Sequence, residues 1–281
     1  MTPEAFLIVA ACGLFIGILS GMFGIGGGTL IVPLLNLAFG LPALTAAATS
    51  LFVIAPTAIS GATQHLRQKT IDLKAGVIIG CAGAASSALS ASFSNQVPAL
   101  AIILLTAAVI LYSAWRMFTP PAASRPLRPP LSDEPPPAPP PASPSPPAPP
   151  SPPAPPRIPA PYRTVSCICL GVFAGLVAGI VGVGGGFIIV PIGIAYLGFS
   201  MRQAAGTSLV SIALIAVPGI VAHALLGHVA WFYGLALVIG TIPGARVGAW
   251  LIMRLPERAL RTAFGTLLIF AGILLVARQV L

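Results

Sequence analysis

Long apolar runs alternate with short polar or glycine-rich breaks along most of the chain. The runs cover residues 5–23, 28–41, 43–64, 74–94 and 98–118, and later residues 164–181, 186–199, 203–226, 229–252 and 258–278. A helix needs about 20 apolar residues to cross a bilayer. The third, fourth and fifth runs of each set reach that length, whereas the first is borderline and the second is too short. The pattern predicts an all-α membrane protein with about eight spanning helices and short broken helices between them.

The two sets of runs are copies of one unit. The second follows the first by 158 positions, so that Gly13 corresponds to Gly171 and Pro33 to Pro191. The same shift superposes Gly26-Gly27-Gly28 on Gly184-Gly185-Gly186, Thr49-Ser50 on Thr207-Ser208, and His65 on His223. Chance matches in apolar sequence align Leu, Ala and Val, not glycines and prolines. We therefore predict two transmembrane repeats, residues 1–118 and 162–281, each with five segments.

A proline-rich stretch with Ala and Ser, residues 119–161, joins the two repeats. Proline opposes helix and core formation, so this stretch is expected to be an extended cytoplasmic tether. A second interpretation is that a cytoplasmic partner with a proline-reading module binds it.

Charge is scarce and positive. Only 7% of the residues are charged, and the net charge is +9, whereas soluble domains carry roughly 25% charged residues. The basic residues are scattered between apolar runs and form no stripe, which argues against nucleic-acid binding. We interpret them instead as signals of membrane topology.

Equivalent loops of the two repeats carry opposite charge. Basic residues follow the third run of the first repeat and the fourth run of the second: Arg67, Lys69 and Lys74, and Arg254, Arg258 and Arg261. The matching loops, residues 227–228 and 94–97, contain neither Lys nor Arg. Because basic loops stay in the cytoplasm, this pattern predicts an inverted repeat, with both termini outside and the linker inside. Secondary transporters commonly have this architecture.

The duplicated glycine triplets are the strongest local feature. Glycine runs break helices, and the short segments beginning at Thr29 and Phe187 would start with unpaired N–H groups and partial positive charge. Two such starts near the bilayer centre could hold one anion. Each broken pair is either re-entrant or two short crossings. Close helix packing is the alternative explanation, and we prefer it for Gly13, Gly17 and Gly21, which are four residues apart.

Hydroxyl and basic side chains add further candidates. Thr49-Ser50 and Thr207-Ser208 could donate hydrogen bonds to a bound oxyanion, or could bond to the preceding helical turn. Arg246 lies inside the fourth run of the second repeat. An intramembrane charge suggests function, but a long arginine near a helix end can also extend to the membrane surface.

Several chemistries lack the residues that they need. No Asp or Glu lies in any apolar run, and no ATP-binding motif or catalytic constellation is present. These absences argue against an enzyme, a cofactor or a metal, and against cation transport. They favour a small anion, whose export from a negative cell interior gains about 2.3 kcal/mol per 100 mV for each charge.

The glycine motifs resemble a known family. The stretch Gly17–Pro33, GILSGMFGIGGGTLIVP, and its copy Gly175–Pro191 are similar to the signature of the sulfite exporter TauE/SafE family. So are GTSL at Gly206–Leu209 and GAxxGA at Gly244–Ala249. The resemblance implies export of a sulfur oxyanion or organosulfonate across the bacterial cytoplasmic membrane. An ion-coupled importer and a membrane scaffold that uses the proline tether are the alternatives. The tether itself departs from the usual short central loop of the family.

Overall fold

A computed structural model describes residues 3–93, 108, 111–118, 160–181 and 184–280. These residues form helices and connecting turns, and none of them belongs to a strand. The predicted linker, residues 119–161, lies outside the described residues except at its last two positions. Most of the fifth apolar run of the first repeat lies outside them as well.

In the first repeat the helices follow the predicted runs closely. They are α1 (Pro3–Phe23), α2 (Gly28–Pro33), which continues as a π-helical turn (Leu34–Ala38), α3 (Ala43–Arg67), α4 (Leu73–Phe93) and α5 (residues 111–118). In the second repeat they are α6 (Ala160–Val181), α7 (Gly186–Tyr196), α8 (Met201–Leu225), α9 (Trp231–Leu251) and α10 (Glu257–Val280). The bounds of α7, α8 and α9 fall 158 positions after those of their counterparts in the first repeat.

Six of the described helices are long and apolar enough to span a membrane: α1, α3, α4, α6, α8 and α9. The prediction of an all-α membrane protein is confirmed. The borderline first runs form full helices of 21 and 22 residues, whereas the segments after the glycine triplets are short, as expected. Helix α10 has 24 residues but carries Glu257, Arg258 and Arg261 in its first turns.

Small residues let helices of different repeats touch along their backbones. Helix α1 packs along α9, and α6 packs along α4. A Cβ atom on Gly17 would lie 2.5 Å from the Thr241 carbonyl oxygen, and one on Gly175 would lie 2.1 Å from that of Gly83. Gly175 and Thr241 are the repeat equivalents of Gly17 and Gly83, so one contact occurs twice. The glycines spaced four apart therefore serve close packing.

Equivalent helices α3 and α8 cross at the centre of the bundle. A Cβ on Gly61 would lie 2.9 Å from Leu209 Cδ1, and one on Gly219 would lie 2.9 Å from Leu51 Cδ1. Later residues of one helix thus pair with earlier residues of the other, so the two helices run antiparallel. The orientation of the repeats relative to a membrane stays a prediction.

One end of the bundle is rich in basic residues. The start of α4 contacts the start of α8 there, because the Asp72 N–H donates to Thr207 Oγ1 at 3.1 Å. The Asp72 carboxylate also pairs with Arg163 at the start of α6, and Arg202 of α8 donates to carbonyl oxygens at the end of α9. Helices α3 and α9 begin at the opposite end, where the Ala230 N–H donates to Thr49 Oγ1 at 2.9 Å.

Candidate functional site

Two glycine turns break the path of the chain between long helices. The first glycine turn, residues 24–28, joins α1 to α2, and the second, residues 184–187, leads into α7. Gly24, Gly26 and Gly27 have φ angles of 71°, 78° and 84°, and Gly184 and Gly185 have φ angles of 85° and 73°. Side chains other than hydrogen are unfavourable in this left-handed region. The sequence therefore requires a sharp turn at both places.

Within the described residues, the glycine turns carry buried backbone donors without acceptors. No hydrogen bond among the described residues uses the N–H groups of residues 25–29 or 184–187. The first bonded amides are those of Leu30, which donates to the Gly27 carbonyl at 3.0 Å, and Ile188, which donates to that of Gly185 at 3.0 Å. Almost all of these residues are buried. Buried unpaired N–H groups are rare in proteins and call for an acceptor.

The two glycine turns lie against each other. A Cβ on Gly186 would be 2.6 Å from the Gly24 carbonyl oxygen and 2.9 Å from Ile25 Cα. The turns also share two apolar neighbours, Ile54 of α3 and Ile212 of α8, which are repeat equivalents. A Cβ on Gly26 would lie 3.3 Å from Ile54 and 2.9 Å from Ile212. The two triplets, Gly26–Gly28 and Gly184–Gly186, thus lie close together in the fold, and their binding of one anion stays a prediction.

Serine hydroxyls surround the turns. Ser208 Oγ donates to the Gly24 carbonyl at 2.7 Å and also lies 2.9 Å from the Ala205 carbonyl. Its equivalent Ser50 is fully buried, and its hydroxyl has no partner among the described residues. Ser50 is one helical turn before Ile54 and therefore on the same face of α3.

Ser20 of α1 also has a buried hydroxyl without a partner. Its Cβ lies 3.7 Å from the position of a Cβ on Gly27. Sequence reasoning missed this residue, because its repeat equivalent is Ala178 and the duplication marks nothing there. Ser20 and Ser50 are thus two buried hydroxyl groups, unpaired within the described structure, on helices that contact the glycine turns.

The predicted threonines have another role. Thr49 Oγ1 accepts the Ala230 N–H, and Thr207 Oγ1 accepts the Asp72 N–H. Asp72 directly precedes α4, and Ala230 directly precedes α9. Each threonine therefore joins the third helix of one repeat to the start of the fourth helix of the other. The two oxygens face helix starts, not the glycine turns.

Arg246 is not brought together with the other candidates. Its side chain is exposed on α9, whereas Ala245 and Gly248 beside it are buried. The exposed face and the nearby end of α9 fit an arginine that extends toward the membrane surface.

The interior contains neutral donors and no carboxylate. Among the described residues, every buried polar side chain belongs to Ser, Thr or His65. No group of three or more potential metal ligands occurs in that part of the chain. A separate cavity of about 1100 Å³ lies beside α1, α2 and α10, but its lining is almost entirely apolar. The glycine turns are therefore the place in the described structure where an anion could be held by hydrogen bonds.

Known proteins with similar sequences are membrane transporters by name. The chain is 29% identical over 266 residues to the probable membrane transporter protein YdhB of Bacillus subtilis (strain 168), covering 93% of this chain and 96% of that relative. It is 26% identical to the probable membrane transporter protein YunE of the same organism, covering 97% of both chains. It is also 25% identical to the probable membrane transporter protein MJ0441 of Methanocaldococcus jannaschii, covering 94% of this chain and 92% of that one.

No solved structure is significantly similar to the chain. The family model described as sulfite exporter TauE/SafE matches residues 9–275, which include both glycine turns. A match of this extent, on a bundle with the expected membrane-spanning helices, means that the chain belongs to the sulfite exporter TauE/SafE family.

Proposed function

We propose that this membrane transporter exports a small anion, a sulfur oxyanion or an organosulfonate, across the bacterial cytoplasmic membrane. The observation that carries the proposal is the pair of buried glycine turns with unbonded N–H groups. Backbone amides at a helix start bind oxyanions without any charged side chain. The free hydroxyls of Ser20 and Ser50 add two more donors.

The absence of buried acidic side chains in the described structure supports an anion over a cation. A cation beside these amides would meet partial positive charge and no counter-charge. Export of a monovalent anion needs no coupling ion, because a negative cell interior drives it outward with about 2.3 kcal/mol per 100 mV.

In the proposed alternating-access mechanism, each repeat in turn closes one side of the site while the other side is open. In this proposal the repeats are inverted, with the basic end of the bundle and the linker in the cytoplasm and both termini outside. Antiparallel packing of α3 on α8 supports that arrangement. Ile54 and Ile212 both pack against the two glycine turns, and in this proposal they move apart on one side or the other when an anion leaves. Exchange of the roles of the two repeats then exposes the site to opposite sides.

Counterflow in proteoliposomes tests the site. Vesicles loaded with unlabelled sulfite or sulfoacetate should take up the labelled anion. Gly27→Val and Gly185→Val should abolish this exchange, since each side chain would crowd the amides of its turn, where a Cβ already meets an atom at 3.2 Å.

Gly40→Val and Gly198→Val are the matched controls. These glycines have similar positive φ angles of 66° and 68°, but an added Cβ would meet nothing within 4 Å. The controls carry the same backbone strain and should retain exchange. Undiminished exchange by the Gly27 and Gly185 variants would contradict the proposed site.

A further inference from the structure

His65 is buried at the basic end of α3, where it connects three parts of the first repeat. Its side chain has no exposed surface. The Nε2 atom lies 3.0 Å from the Gly21 carbonyl oxygen on α1. The Nδ1 atom lies 2.9 Å from Thr70 Oγ1, and that hydroxyl is also 3.1 Å from the carbonyl oxygen of His65.

This geometry satisfies two protonation states of His65. A carbonyl oxygen only accepts, so Nε2 carries a proton in both states. In the neutral state Nδ1 accepts the hydroxyl proton of Thr70. In the protonated state Nδ1–H donates to Thr70 Oγ1, and the Thr70 hydroxyl turns to donate to the His65 carbonyl. The site can therefore gain or lose one proton without leaving a polar atom unpaired.

Charged groups near His65 are exposed or already engaged. The exposed ones are Arg67 on its own helix, Lys69 in the following turn and Arg246 on α9. Asp72 of that turn pairs with Arg163 of α6, and Arg202 of α8 donates to the end of α9. On α1, the acidic Glu4 lies at the opposite end from Gly21, and Cys12 lies in mid-helix. Glu257, at the start of α10, accepts the Met201 N–H at 3.3 Å. In the described structure, therefore, no carboxylate is paired with His65, whose ring nitrogens contact only Thr70 and the Gly21 carbonyl.

A bound anion can be the counter-charge of a protonated His65. Gly21, which His65 contacts, is three residues before Gly24, where the first glycine turn begins. A proton on His65 therefore adds positive charge at the last turn of α1, which leads into the first glycine turn, and this charge raises anion affinity. Linkage requires the reverse as well, because an anion that binds better to the protonated protein also raises its proton affinity.

We propose that His65 is a proton-binding site that loads together with the anion, so that transport is a proton–anion symport. This inference rests on the proposed anion transport and adds its coupling ion. A divalent anion that moves with one proton still carries one negative charge, so the membrane potential still drives export, whereas an inside-alkaline pH gradient favours uptake. His65 would then bind the coupled proton, a role that a carboxylate has in other transporters.

The second repeat carries a matching site at the other end of the bundle. His223 and His228 are the repeat equivalents of His65 and Thr70. Their Nδ1 atoms are 3.5 Å apart, and both side chains are partly exposed. One shared proton makes one nitrogen a donor and the other an acceptor. Each end of the described bundle thus has a histidine at the same place in its repeat.

Net uptake and counterflow in the same proteoliposomes separate coupling from transport. Uptake of labelled sulfoacetate, which is fully ionised near neutral pH, is measured with an inside-alkaline pH gradient and the membrane potential clamped at zero. For one proton per anion the protein should accumulate the anion about tenfold for each pH unit. His65→Gln should lose this accumulation but still exchange the anion at saturating concentration, with a higher half-saturating concentration, because the Gln amide can still donate to the Gly21 carbonyl and keep the fold.

If the native protein shows counterflow, the proposed transport stands, and three results would still overturn the coupling. The native protein would exchange the anion but not respond to the pH gradient, or the His65→Gln variant would still accumulate the anion. The third is a folded His65→Gln variant that loses both accumulation and counterflow. Native protein without counterflow of sulfite or sulfoacetate would remove the proposed function itself.

Thr70→Val keeps the test decisive if His65→Gln does not fold. This variant removes the partner of Nδ1 in both states, and the loss costs more in the protonated state because a hydrogen bond from a charged donor is the stronger one. The pH at which gradient-driven uptake is half-maximal should move to lower values, while counterflow at low pH stays near that of the native protein. An unchanged pH profile would contradict the role of His65.

Discussion

Substitution of Ser20 or Ser50 should affect anion binding and protein stability in opposite ways. Ser20 and Ser50 are buried, and neither hydroxyl has a partner in the described structure. A buried unsatisfied hydroxyl costs about 1–3 kcal/mol, so Ser20→Ala and Ser50→Ala should leave thermal stability unchanged or raise it. If these hydroxyls bind the anion, the same variants should weaken its binding, each by roughly tenfold for a loss of about 1.4 kcal/mol.

Ser208→Ala provides the contrast. Ser208 Oγ holds the Gly24 carbonyl at 2.7 Å, so its loss should lower stability by about 1 kcal/mol. Thermal unfolding in detergent, with and without sulfite or sulfoacetate, reports both quantities. Lower stability of the Ser20 and Ser50 variants, with unchanged anion affinity, would mean that the two hydroxyls serve the fold.

The sequence duplication identified only part of the candidate site. The duplication pointed to the glycine turns and to Ser50, because equivalent positions kept the same residue type. It pointed equally to Thr49 and Thr207, whose oxygens instead join helix starts. Ser20 has no serine in the other repeat, and only three-dimensional packing brings it next to Gly27. A repeat marks shared positions but does not distinguish a ligand contact from a helix junction.

At the scale of helices, the pairing of α4 with α6 depends on glycine. A Cβ on Gly175 would lie 2.1 Å from the Gly83 carbonyl oxygen, and backbone on both sides prevents an easy shift. Gly175→Ala should therefore force the helices apart and cost about 1–3 kcal/mol or more. Size-exclusion chromatography of the detergent-solubilised protein should show less monodisperse material.

Gly198→Ala is the control for that helix-packing prediction. An added Cβ there meets nothing within 4 Å, although φ is 68°. The control variant should elute like the native protein. Equal profiles for the Gly175 and Gly198 variants would show that α4 and α6 can separate without loss of the fold.

Helix positions followed from hydropathy, whereas helix lengths near the glycine turns did not. The runs 43–64 and 74–94 became Ala43–Arg67 and Leu73–Phe93. The run 28–41 became an α-helix followed by a π-helical turn after Pro33. Pro191 has the equivalent place in α7, which stays α-helical to Tyr196. The proline does not by itself decide between the two, so local sequence could not predict the π-helical turn.

Across the whole molecule, charge and helix direction lead to the same arrangement. Equivalent loops of the two repeats differ in charge, and in the fold the basic ones meet at one end through Thr207, Arg163 and Arg202. That meeting requires equivalent helices to point in opposite directions, as α3 and α8 do. The opposite charge of equivalent loops, which predicts the inverted repeat, could be read from the sequence. The pairing of α1 with α9 and of α4 with α6 depends on shape and could not be read from hydropathy.

Single cysteines at Gly40 and Gly198 test the inverted arrangement directly. The two positions are repeat equivalents, both are exposed, and an added Cβ meets nothing at either of them. Gly40 precedes α3 at the end opposite the basic residues, and Gly198 precedes α8 at the basic end. In a protein whose Cys12, Cys81, Cys167 and Cys169 are replaced by Ala, a membrane-impermeant maleimide should label Gly40→Cys in intact cells. It should label Gly198→Cys only after the membrane is opened.

Because both variants carry the same backbone strain, a difference in labelling reports the side of the membrane and not local structure. Labelling of both from outside would mean that the repeats face the same way, and alternating access by exchange of their roles would then be impossible.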